Sequence, residues 1–97
     1  MSKKLYVLVR KDLPTSSHIA VQAGHVVAEW LLHDQQWQNG TLVYLGIKDE
    51  KKLLHWIDKL NFKGIKYIKF REPDMKNQIT AVATLGNDKI FRNLELL

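Results

Sequence analysis

The apolar positions of the chain change rhythm several times. Residues 4–10 carry Leu5-Tyr6-Val7-Leu8-Val9, a continuous run that predicts a strand buried on both faces, as at the centre of a parallel sheet. From about residue 16 to 33 the rhythm becomes helical. At about 100° per residue, Ile19, Ala20, Ala23, Val26, Val27, Trp30 and Leu31 share one broad face. His18, Gln22, His25, Glu29 and His33 make a polar stripe on the other side. Thr15, Ser16 and Ser17 each offer a side-chain oxygen to the free N–H groups of the first turn, and Pro14 fixes the entry.

The polar connection from Asp34 to Gly40 holds Trp37, which is expected to plug the edge of the core. Thr41 to Ile47 is rich in β-formers and predicts a second strand. Asp49 caps a helix over roughly 50–62, with Leu53, Leu54, Ile57 and Leu60 inward and Gly64 in the left-handed position that ends it. Ile65 to Arg71 is a third strand, stopped by Pro73, and Ile79 to Leu85 a fourth. Gly86-Asn87-Asp88 turns the chain into a last short helix, about 88–94, with Ile90, Phe91 and Leu94 inward. The order is β-α-β-α-β-β-α. Two helical crossovers make the first three strands parallel. The link from Arg71 to Ile79 is too short for a third crossover, so the last strand is antiparallel to a neighbour. The expected fold class is α/β: a small mixed sheet of about four strands with helices on both faces.

Composition narrows this picture. A chain of 97 residues is a single domain, residues 1–97, and no apolar run approaches the roughly 20 residues of a membrane span. The start, Met1-Ser2-Lys3-Lys4, has no signal-peptide apolar region, and zero cysteines exclude disulfides and thiolate metal sites; both fit a cytoplasmic protein. A net charge of +5 and a pI near 9.6 favour a polyanionic partner such as nucleic acid. Lys59, Lys63, Lys66, Lys69, Arg71 and Lys76 crowd one part of the chain into a band that could follow phosphates.

Strand, polar turn and helix N-terminus together form a common ligand site in open α/β sheets, suited to an anion. The residues there have a further pattern: Arg10, then Asp12-Leu13, a Thr/Ser-rich turn at 15–17, and Ala20-x-Gln22-x-x-His25 inside the helix. This resembles the type 2 peptidyl-tRNA hydrolases, and the element order agrees along nearly the whole chain. The family cleaves the ester between a peptide and the 3′ end of its tRNA without a metal. It has Gly-Lys at the helix start, where this chain has Ser17-His18. After the third strand the family reads Asp-Ala-Gly-x-Thr-Gln, where this chain reads Phe70-Arg71-Glu72-Pro73-Asp74, followed by Thr80-Ala81. The resemblance therefore points to a divergent branch. It implies tRNA as partner, no cofactor, no membrane, and leaves a homodimer open.

Parallel strands would bring Asp12, Asp74 and the His18 end of the helix to one crevice at the carboxyl edge of the sheet. A carboxylate there can orient or deprotonate water, while His18 can steady an oxyanion or protonate the leaving ribose oxygen. His18, Asp12, Asp74 and Gln22 are the candidate catalytic residues. Arg10, Ser16, Ser17, His25, Arg71 and Thr80 are the candidate substrate-binding residues. Plainer roles stay open: a turn or capping residue at Asp12, pairing of Asp74 with Arg71 or Lys76, a hydrogen bond from Gln22 to a neighbouring loop, a structural histidine at His25. With its lysine replaced by His18, the chain could also be a catalytically silent module that binds RNA or a protein. His25 and Glu29, or Glu29 and His33, have metal-ligand spacing, but one straight helix supplies a third ligand poorly. A solvated face explains the stripe, and no metal is assigned.

Overall fold

The computed structural model describes residues 3–86 and 88–97, with Asp88 described in its backbone alone. Asn87, placed in a turn by its sequence, lies outside the described residues. The first strand, β1 (Leu5–Arg10), is buried at all six positions, as a continuous apolar run should be. Helix α1 (Ser16–His33) follows, with Thr15 as its N-cap accepting the His18 N–H. Strand β2 (Leu42–Ile47) and helix α2 (Glu50–Phe62) come next, α2 capped by Asp49. Gly64, at φ 67°, takes the left-handed conformation at the C-terminal end of α2. Strand β3 (Ile68–Glu72) leads through a single 3₁₀ turn, Pro73–Met75, into β4 (Gln78–Leu85) and a short helix α3 (Asp88–Phe91). Among the described residues no helix is long and apolar enough to cross a membrane.

The four strands form one mixed sheet in the order β2-β1-β4-β3. β1 pairs in parallel with β2, opposing Leu5 to Leu42 and Arg10 to Ile47. Parallel pairing stops there, so the expectation of three parallel strands is corrected: it holds for strand sense but not for pairing. β4 lies between β1 and β3 and is antiparallel to both, so β3 shares the sense of β1 but is hydrogen-bonded to β4 alone. The burial of the two strands explains the order. β4 is buried from Ile79 to Thr84 and belongs in the centre; β3 alternates half-buried and exposed positions and suits an edge. The reversal between them is tight, with Lys76 and Asn77 both at positive φ.

Alternation along β1 divides the core. Leu5, Val7 and Val9 pack with Ala23, Val26 and Trp30 of α1 and with Trp37, whose indole N–H donates to the Thr41 carbonyl at 3.1 Å. Tyr6 and Leu8 pack with Leu53, Ile57 and Leu60 of α2 and with Phe91. Helices therefore cover both faces, α1 on one and α2 with α3 on the other. After α3 the chain runs along the outer edge of β2: Gly46 N–H donates to Glu95 O, and Leu97 N–H to Tyr44 O, each at 3.0 Å.

Two details of α1 differ from its helical pattern. Ala20 and Leu31 are exposed, while Gln22, expected on the polar stripe, is buried. The cause lies on β4. Phe70 pairs with Ala81 and Arg71 with Ile79, leaving Thr80 as the extra residue of a β-bulge. The bulge turns Thr80 toward α1, where its hydroxyl donates to Gln22 Oε1 at 2.6 Å. A buried amide is tolerated there because it is met.

Candidate functional site

The chain leaves β1 through Arg10, which stays buried although it carries a full charge. Its guanidinium is met on three sides. Nε and one terminal nitrogen donate to the two carboxylate oxygens of Asp12, each at 2.8 Å; the other terminal nitrogen donates to Gln78 Oε1 at 2.9 Å and Ile79 O at 3.3 Å. The hydrogen bond from Arg10, with its charge, holds the Asp12 carboxyl below the usual aspartate value, outweighing partial burial. Nearby Glu50 accepts the Ile79 N–H at 2.9 Å. Arg10 follows Tyr6 and Leu8 in the alternation of β1, so this network sits on the α2 side of the sheet.

An open cleft of about 400 Å³ lies on the α1 side, lined by Pro14, Ser17, His18, Val21, Gln22, Glu72, Asp74 and Met75. The first turn of α1 forms one wall and the segment after β3 the other. His18 Nδ1 is 2.6 Å from the Thr15 hydroxyl, whose oxygen already accepts the His18 backbone N–H. The tautomer of the ring decides which of the two groups donates in this contact.

Gln22 is the hinge of a buried chain: it accepts from Thr80 and donates through Nε2 to Glu72 Oε2 at 2.6 Å. The other Glu72 oxygen accepts the Asp74 N–H at 3.2 Å. These two bonds, that from Gln22 foremost, lower the Glu72 carboxyl pKa. Pro14, Val21 and Met75 give the cleft an apolar lining beside this polar chain.

The residues singled out in the sequence therefore separate. His18, Gln22, Asp74 and Ser17 share the cleft, and Thr80 supports it from behind through Gln22. Asp12 and Arg10 do not line it. Ser16 opens α1 and is exposed; His25 stacks on Phe70, ring centroids 4.6 Å apart and planes 3° from parallel; Arg71 donates to Asn77 O at 3.1 Å. None of these three lines the cleft. Glu29 and His33 lie 3.6 Å apart as an exposed pair, and no group of three or more His, Cys, Asp or Glu among the described residues could hold a metal ion. The sequence reading missed Glu72 as the partner of Gln22. A carboxylate directly before Pro73, at the end of a strand, was the available signal.

No family model matches the chain, and neither does any curated protein. Among solved structures, a protein of unknown function from Agrobacterium tumefaciens strain C58, Atu0240, superposes with a TM-score of 0.74. The match covers 100% of this chain and 98% of that one at 12% identity, and it concerns the fold alone.

Proposed function

We propose that the protein hydrolyses the ester between peptide and tRNA in peptidyl-tRNA, or a related aminoacyl ester, without a metal ion. The observation that carries this reading is the cleft at the start of α1, where His18, Gln22 and Asp74 stand together. Gln22 belongs to the motif that resembles the type 2 peptidyl-tRNA hydrolases, while His18 and Asp74 stand where this chain departs from it. Asp74 takes a proton from water as the water oxygen attacks the acyl carbon. The carbonyl oxygen becomes an oxyanion, and His18, in the tautomer with its proton on Nε2, donates to it. Collapse breaks the bond to the ribose oxygen, which receives the proton from Asp74. The products are the peptide acid and the free tRNA hydroxyl. Gln22, fixed by Thr80 and Glu72, is a positioning residue that keeps the wall of the cleft in place.

One observation favours a silent RNA-binding module instead: Asp12, a carboxylate expected in the crevice, is fully engaged by Arg10. A turnover assay on peptidyl-tRNA separates the two readings. Hydrolysis that is lost in Asp74→Asn supports the esterase. Binding of tRNA with no release of peptide at any pH from about 5.5 to 8.5 supports the module.

A further inference from the structure

A second pocket lies across the sheet from the cleft, at the carboxyl ends of β1 and β2. It measures about 330 Å³, and Lys11, Lys48 and Lys52 line it with Trp56. Lys11 is anchored by its backbone, whose N–H donates to Ile47 O at 2.7 Å. Its methylene stem crosses Gly46 so closely that a Cβ there would lie 2.5 Å from Lys11 Cδ. Glycine at 46 thus leaves room for the stem. The Lys11 ammonium meets one carboxylate, Glu95, at 3.4 Å on the exposed surface, an interaction easily exchanged for a phosphate. Asp49 is occupied as the cap of α2, and Glu50 as acceptor for Ile79. Trp56 is half-buried, with the Lys59 ammonium 4.7 Å from its ring centroid and the Phe91 ring 5.6 Å away, whereas Trp30 and Trp37 are buried.

We propose that this pocket holds the phosphate backbone of an RNA, with ammonium groups on the phosphates and the Trp56 indole against a ribose or base. The proposal rests on the tRNA reading above and names where the body of the RNA lies. Part of the linear lysine band is already paired. Within it Lys66 is paired with Asp34 at 2.8 Å and Arg71 with a backbone carbonyl. The pocket also has the right neighbour. Lys11 borders it and Pro14 borders the cleft, and three residues span at most about 11 Å. A strand with its 3′ end in the cleft would cross the β1–α1 loop and meet Lys11.

The test is binding of bulk tRNA over a range of salt. Lys11→Gln/Lys48→Gln/Lys52→Gln is expected to weaken it at least tenfold at low salt and to flatten the slope of log K against log salt by about 2 to 3. Lys63→Gln/Lys69→Gln/Lys76→Gln removes the same charge elsewhere and is expected to have a far smaller effect. Gly46→Ala, which displaces the Lys11 stem while keeping every charge, should weaken binding by a few-fold. In the wild type, tRNA should shield Trp56 from acrylamide quenching. Equal losses in the two triple variants, or an unchanged pocket variant, would overturn the site. Hydrolysis with no effect of the pocket triple on binding removes this site and keeps the esterase. Pocket-dependent binding without hydrolysis keeps this site and removes the esterase.

Discussion

Two polar networks flank β1 where it leaves the sheet, and they are built to opposite ends. On the α2 side, Arg10, Asp12 and Gln78 satisfy one another, and the arginine is buried. On the α1 side, Gln22 is equally well satisfied by Thr80 and Glu72, but it backs an open cleft where His18 and Asp74 meet solvent. In the first network the Asp12 carboxylate reaches the surface, but both its oxygens are engaged by the buried Arg10 guanidinium. The second ties its inner members together by hydrogen bonds and leaves His18 and Asp74 exposed along the cleft. This is the division expected of a reactive site supported by a fixed shell. Both networks contain residues of the same sequence motif, so motif membership does not by itself identify a reactive group.

The largest effect that would break this comparison lies in the cleft. His18→Ala should lower the rate on peptidyl-tRNA by about 10²-fold or more, the loss typical of an oxyanion donor. Its melting temperature should stay close to that of the wild type, because the imidazole is exposed. Rates measured beside thermal melts decide this. An unchanged rate would remove His18 from the site.

Asp12→Ala should act on stability instead. It leaves the Arg10 guanidinium without its carboxylate, at about 2–3 kcal/mol for hydrogen bonds to a charged group. At about 4–8 °C per kcal/mol for a domain of this size, the drop in melting temperature should be plain in a calorimetric scan.

Smaller effects sharpen the comparison. Thr80→Val deprives Gln22 Oε1 of its donor inside the protein and should cost about 1–2 kcal/mol. Gln22→Leu added to it should cost less than the sum of the two single changes, which a double-mutant cycle in urea measures. Simple additivity would mean that the two side chains act independently. The smallest effect is in acid. The folded Asp12 pKa lies below its ordinary 3.8, so the contribution of the pair is complete above that pH. It is lost as pH falls through the folded value. Glu72, lowered from 4.5 by Gln22, has the same sign. Urea midpoints between about pH 2 and 5 should fall in the wild type and flatten in Asp12→Asn.

What was legible in the chain follows the range of each interaction. The start of α1 within Thr15–Ser17, the start of α2 at Asp49 and its end at Gly64 depend on bonds over a few residues and stand in the structure, with Thr15 the cap of α1 among the three candidates. The central place of β1 followed from its unbroken apolar run. The position of β4 did not follow from chain order, because it depends on β3 being the strand that tolerates an edge. Helical periodicity places Gln22 on the polar stripe, because it counts only residues on its own helix. Its partners arrive from β3 and β4 across a bulge that no local pattern marks. His18 and Asp74 come to one cleft because each sits at an element end on the carboxyl edge, where topology alone brings ends together.

The most direct test sets one carboxylate from each network against the other. Initial rates of peptidyl-tRNA hydrolysis and melting temperatures are measured for Asp74→Asn and Asp12→Asn in parallel, well below both melting points. Asp74→Asn should lose most of the rate and keep its melting temperature; Asp12→Asn should lose melting temperature and keep the rate. The reverse pattern, with the rate following Asp12 and untouched by Asp74, would place the chemistry in the network whose carboxylate is engaged by Arg10 and contradict the account.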